Sequence, residues 1–142
     1  MKHENPDYHL HIETPSVDDY RRLRLIAGLS PKGREAAEQG LPNTVHAALI
    51  RYQGDAVAMG RIVGDKGCFY QIVDIAVDPA HQGKGLGKMI VASLVDYVRN
   101  EAPDGAYCSL IADGPAKYLY AKFGFEPVMP ESIGMAFRVS RA

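Results

Sequence analysis

The spacing of apolar and polar residues changes several times along the chain, and each change marks an element. Tyr8–Thr14 (YHLHIET) alternates with period two, which predicts a short first strand. Pro15 breaks it, and Ser16 is placed to cap the helix VDDYRRLRLIAGL, whose acids come early and arginines late, as the helix dipole prefers. A second short helix is expected from Gly33 to Gly40, stopped by Gly40 and Pro42. TVHAALIRYQ and AVAMGRIVG flank Gly54-Asp55 as the arms of a hairpin, and CFYQIVDIAV is the longest strand candidate. Then Leu86, Met89, Ile90, Leu94, Tyr97 and Val98 recur at helical spacing, with Lys88, Asp96 and Arg99 on the other side. AYCSLIA reads as a buried strand, PAKYLYAKF as a short helix with Pro115 at its start, and GMAFRV as a final strand. The order is an antiparallel meander followed by strand–helix–strand–helix–strand. It predicts a mixed α/β sheet in a single domain over residues 1–142.

Composition narrows the function classes. A net charge of −1 leaves no basic stripe to meet phosphates in number, so nucleic acid is not an expected partner. The first residues, MKHENPDYHLHIE, lack the apolar stretch of a signal peptide, and no apolar run approaches the roughly 18 residues of a membrane span. Cys68 and Cys108 stand apart, with no CxxC pair and no clustered histidines, and read as free core thiols in a reducing compartment. A cytoplasmic location without membrane or metal is the expectation.

The knot QGKGLGK, Gln82–Lys88, carries the chemistry. Gly83, Gly85 and Gly87 leave the amides of this segment uncovered by Cβ atoms at a helix entrance. There the converging N–H groups and the helix dipole make an anion site suited to phosphate, and Lys84 and Lys88 reinforce its sign. A tight turn without ligand is the plainer alternative, but it needs fewer glycines. A Walker A loop would require Ser or Thr where Met89 stands, and a Rossmann fingerprint would require Gly where Lys88 or Ile90 stands.

The pattern Gln82-x-x-Gly85-x-Gly87, after an apolar strand ending Val77-Asp78-Pro79, resembles the acetyl-CoA-binding motif of the GNAT superfamily of N-acetyltransferases. YLYAKFGFEP (Tyr118–Pro127) resembles the same family's later signature, and the two stand in the family's order. IVDIAVDPAHQGKGLGK is similar to the corresponding stretch of glucosamine-6-phosphate N-acetyltransferases. The resemblance implies an α/β fold with a mostly antiparallel sheet of six to seven strands flanked by about four helices. It also implies acetyl-CoA as cosubstrate, a small-molecule amine as acceptor, and a homodimer as a possible assembly. Acetylation of a protein N-terminus or lysine, and acyl-CoA sensing without turnover, remain alternative functions.

The same resemblance distributes roles. Gln82, Gly83, Lys84, Gly85, Leu86, Gly87 and Lys88 would hold the pyrophosphate. The pantetheine arm would pair with the backbone of Ile75 and Val77, with an N–H of Ile75 or Ala76 facing the thioester oxygen. Tyr120 occupies the place of the general-acid tyrosine, leaving Tyr118 for packing. Asp74 interrupts an apolar strand, where an unpaired carboxylate is costly. It reads as the base, acting through water, with deprotonation by solvent alone as the alternative, or else as a residue on a solvated strand face or in an ion pair. The glucosamine-6-phosphate enzymes carry an acidic pair here, and Val73 replaces its first member. Gln71 stands where many relatives place a base and cannot accept a proton. Asp113 is a candidate for the substrate ammonium. Arg24, in the run Arg21–Arg24, could recognise a carboxylate or phosphate on the acceptor, or simply face solvent. Ala116 replaces an Asn that often touches the cofactor. His81 is expected to be an exposed loop residue.

Overall fold

A computed structural model describes residues 7–141 and divides the chain into two compact units, Met1–Leu110 and Ile111–Ala142. The first unit contains five strands, β1 (Tyr8–Ile12), β2 (His46–Tyr52), β3 (Asp55–Gly64), β4 (Phe69–Val77) and β5 (Tyr107–Ser109). It also contains the helices α1 (Val17–Ile26), α2 (Arg34–Gly40) and α3 (Leu86–Glu101). The second unit contributes α4 (Ala116–Ala121).

The strands form one sheet in chain order, antiparallel from β1 to β4, with β5 added parallel to β4. Five strands are therefore found among the described residues, not six or seven. The expected last strand, Gly134–Val139, is irregular, and Met135 and Phe137 are 86% and 90% exposed. Its alternation is strand-like, but it joins no ladder among the described residues. β5 shrinks to three residues for a related reason, since only Phe69–Gln71 of β4 pair with it.

Local chemistry explains most element boundaries. The Ser16 hydroxyl accepts the Asp19 amide at 3.1 Å and starts α1 as expected. Between β2 and β3 the two-residue turn is Gln53-Gly54, one position before the dipeptide singled out in the sequence. Both residues have positive φ, the geometry that matches the twist of a hairpin.

Met59 of β3 packs with Tyr20 and Leu23 of α1, whereas its neighbour Gly60 faces Ile90 and Leu94 of α3. Adjacent strand residues point to opposite faces, so α1 and α3 cover the two sides of the sheet. That double cover accounts for the nearly continuous burial of β3. No helix among the described residues is long and apolar enough to cross a membrane. The cysteines are free but not core residues, since Cys68 is exposed and Cys108 half-buried.

Candidate functional site

Three features of the first unit converge on the C-terminal half of β4. The first is the glycine knot. Gly83 and Gly85 take φ of +81° and +79°, conformations that glycine adopts at no steric cost, and a Cβ on either would meet open space. Gly85 is the N-cap of α3 and makes no side-chain cap hydrogen bond, so the first amides of this 16-residue helix have no intrahelical acceptor. Lys84 and Lys88 are exposed beside them. These residues fit a pyrophosphate: uncovered amides, a positive helix end and two cations at one exposed turn.

The second feature is a β-bulge in β4. Arg61 pairs with Val73 and Met59 with Ala76, so Gly60 alone stands opposite both Asp74 and Ile75. Asp74 has φ of +62°, a left-handed conformation that aspartate tolerates better than most residues. Among the described residues no strand pairs with the other edge of β4 beyond Gln71, which leaves that edge of Ile75, Ala76 and Val77 without a ladder partner. An extended group can add to such an edge as an extra strand would.

The third feature is the environment of Asp74, which is 9% exposed. One carboxylate oxygen accepts from Arg24 at 2.5 Å and from the Tyr20 hydroxyl at 3.0 Å, and the other accepts from Arg61 at 2.8 Å. Of the structural readings offered by the sequence, the ion pair is the one present, and the solvated strand face is not. Arg24 is correspondingly buried, its Nε donating to the Ser30 carbonyl and its Nη2 to the Ser30 hydroxyl, so it does not face solvent as the sequence suggests. Arg61 also reaches the Thr44 hydroxyl and lies over the Tyr20 ring. Burial, together with the neighbouring Asp74 charge, pushes the Tyr20 phenol above its ordinary value and keeps it a donor.

Arg61 and Tyr20 were not singled out from the sequence. A signal was present: Arg61 interrupts the apolar run AVAMGRIV just as Asp74 interrupts QIVDIAV, and two opposite charges inside apolar strands call for one another. Gly60 was missed as well. It faces Ile90 and Ile75 so closely that a Cβ would force their side chains to shift. His81 is half-buried, not exposed, with the Tyr8 hydroxyl 2.7 Å from its Nδ1 and the Tyr52 ring against it.

In the second unit, Tyr120 is buried and its ring meets Phe125 edge-on, whereas Tyr118 is 66% exposed under the Lys117 ammonium. Tyr118 therefore does not take the packing role expected of it. Burial pushes the Tyr120 phenol above its ordinary value, and the Asp113 carboxylate adds to the rise. A phenol so held stays protonated at neutral pH and can give that proton as a general acid. Asp113 itself is exposed.

Comparison with known proteins adds the following. The model of the Acetyltransferase (GNAT) family matches residues 8–125. A glucosamine 6-phosphate N-acetyltransferase of Trypanosoma brucei brucei is 32% identical over 116 residues, 80% of this chain and 69% of that protein. A tRNA(Met) cytidine acetyltransferase of Saccharolobus islandicus is 32% identical over 108 residues, 74% of this chain but 14% of that protein. The chain spans well under half the length of several curated relatives it matches. Among solved structures, a "probable acetyltransferase" of unknown function from Meticillin-Resistant Staphylococcus aureus superposes with a TM-score of 0.89. It shares 43% identity, with 93% of this chain and 99% of that chain covered.

Proposed function

The chain belongs to the GNAT acetyltransferase family, and from that premise we propose that it moves an acetyl group from acetyl-CoA to a primary amine of a small molecule, by direct attack in a ternary complex. The observation that carries this reading is the continuity of two sites on one short stretch. The open edge of β4 at Ile75–Val77 runs directly into the uncapped α3 entrance at Gln82–Lys88. That is the arrangement a ligand needs when an extended arm ends in a pyrophosphate.

Acetyl-CoA supplies an activated thioester carbonyl. The amides of Gln82–Lys88, with Lys84 and Lys88, would hold its phosphates, and the Ile75–Val77 edge would align its arm. A backbone N–H at Ile75 or Ala76 would stabilise negative charge developing on the carbonyl oxygen, a contribution of about 2.7–4 kcal/mol where such donors have been removed. Tyr120 would give its proton to the departing thiolate. With Asp74 occupied by two guanidinium groups, the amine loses its proton to solvent, and turnover should rise with pH until the free amine predominates. Asp113 remains the candidate for holding the acceptor ammonium before that loss.

The small-amine reading draws support from the match to the trypanosomal sugar-phosphate enzyme over most of both chains. A net charge of −1 disfavours an RNA acceptor, because phosphate neutralisation supplies most of RNA-binding affinity. A protein N-terminus or lysine is the second reading. Incubation with acetyl-CoA and a panel of amino acids, amino sugars, polyamines and peptides, with detection of free thiol, separates the two. Thiol release with peptides alone would replace the small-amine reading. Tight acetyl-CoA binding without release on any acceptor would favour an acyl-CoA sensor.

A further inference from the structure

The Asp74 cluster has more charge than a carboxylate base would need and more anchors than a packing residue would need. Arg24 and Arg61 bring two positive charges to one negative, all three side chains below one-tenth exposed. The partners come from different places: Arg24 and Tyr20 from α1, Arg61 from β3, and, one bond further out, Ser30 and Thr44 from the segments that flank α2. The backbone of Asp74 is equally unusual. Val73 stands opposite Arg61 and shares its face, so regular alternation would turn Asp74 to the α3 side. The bulge, with φ of +62°, turns the carboxylate back to the α1 side, where the two arginines wait. Bulge and ion cluster therefore require each other.

We propose that Asp74 is a positioning residue: its bonds to Arg24, Arg61 and Tyr20 hold the β4 bulge and thereby set the direction of the Ile75–Val77 backbone. The inference rests on the proposed acetyl-CoA site for its functional consequence, but the lock itself does not. An unlocked β4 would regain regular alternation or sample both shapes. The amides of Ile75 and Ala76 would then be misaimed toward the thioester, while the α3 entrance would keep its grip on phosphate. Asp74 acts on the reaction through backbone geometry and takes no proton.

Arg61→Met is the discriminating variant. It removes the anchor from the strand facing the bulge but leaves the Asp74–Arg24 pair in place. Hydrogen exchange of the ligand-free protein should show the 70–78 segment exchanging at least about tenfold faster than in the wild type, with α3 unchanged. Calorimetry should show adenosine 3′,5′-bisphosphate and pyrophosphate bound as before and the extra affinity of acetyl-CoA reduced. The kcat should fall about ten- to hundredfold, with the shape of its pH profile retained. Asp74→Gly, which permits the left-handed conformation without enforcing it, should behave the same way and covers the case in which Arg61→Met fails to fold. Unchanged exchange over 70–78 in a folded variant overturns the proposal. So does wild-type kcat in Arg61→Met combined with loss of a pH limb in Asp74→Gly, which would return Asp74 to the role of base. Faster exchange in a protein that neither binds acetyl-CoA nor releases thiol would uphold the lock and sink the proposed function instead.

Discussion

Gly60 stands so close to Ile90 that a methyl group on it would lie 2.5 Å from Ile90 Cγ2 and 2.6 Å from Ile75 Cδ1. Both contacts are side-chain atoms packed between the sheet and α3, with Leu94 at 3.0 Å completing the wall. The residue opposite the bulge thus has no side chain because α3 rests directly on it. The N-terminus of α3 is in turn the proposed phosphate site.

Gly60→Ala should therefore overpack the α3 face and destabilise the fold by about 1–3 kcal/mol. Its backbone φ needs no glycine, so the loss comes from crowding alone. A chemical denaturation midpoint measures it, and a stability equal to wild type would mean that Ile90 and Ile75 can shift at no cost. Any relief by Ile90→Val in the same chain would localise the crowding.

Gly85→Val should abolish most acetyl-CoA binding while the sheet stays folded. A Cβ at Gly85 meets nothing within 4 Å, so no clash inside the protein is expected. The φ of +79° is another matter, because a left-handed residue with a side chain costs about 1–2 kcal/mol and a β-branched one more. The branched side chain would also cover the amides that hold phosphate. Calorimetric affinity within about threefold of wild type in a folded variant would remove the knot from the site.

These features differ in how far they could be read in advance. The Ser16 cap, the α3 start and the glycine knot are written in neighbouring residues, so local patterns reveal them. The bulge at Asp74 is not local: it depends on guanidinium groups 50 and 13 residues away, which no period along the strand discloses. Arg24 misled for the same reason. Its place in the run RRLR suggests a solvated or substrate-facing cation, yet a buried carboxylate on β4 claims it. The strand expected at Gly134–Val139 fails in the opposite direction, because Met135, Phe137 and Val139 alternate as a strand would, yet they join no ladder among the described residues.

His46 gives the fold a defined pH response. Its ring stacks on Tyr97 with centroids 4.2 Å apart, and burial lowers its pKa below the ordinary histidine value. The unfolded chain, with histidine near about 6.5, then binds more protons than the folded one just below that pH. Stability is complete above the unfolded pKa and falls as pH drops toward the folded one. His46→Phe keeps a stacked ring and removes the titration, so its unfolding free energy should be flatter in the interval just below about pH 6.5. Parallel curves for the two proteins across that interval would assign the acid sensitivity to other groups.

Tyr120→Phe should leave acetyl-CoA affinity unchanged and remove most turnover. The tyrosine is buried against Phe125, so a variant that keeps the ring keeps that packing. What it loses is a phenol whose pKa is raised by burial and by Asp113, a group that holds its proton until something more basic appears. A departing thiolate is such a base. General acid catalysis typically contributes 10²–10⁴-fold, about 2.7–5.4 kcal/mol of barrier. Because the proton moves only as the thiolate leaves, kcat and kcat/KM should fall together. The deficit should shrink with an acetyl donor whose thiol is more acidic, since that thiolate departs without help. Asp113→Asn provides the control: removing one cause of the raised pKa should lower the phenol value and shift the alkaline limb of the rate profile toward neutrality. Wild-type rates for Tyr120→Phe with every donor would make Tyr120 a packing residue and leave the leaving group to solvent.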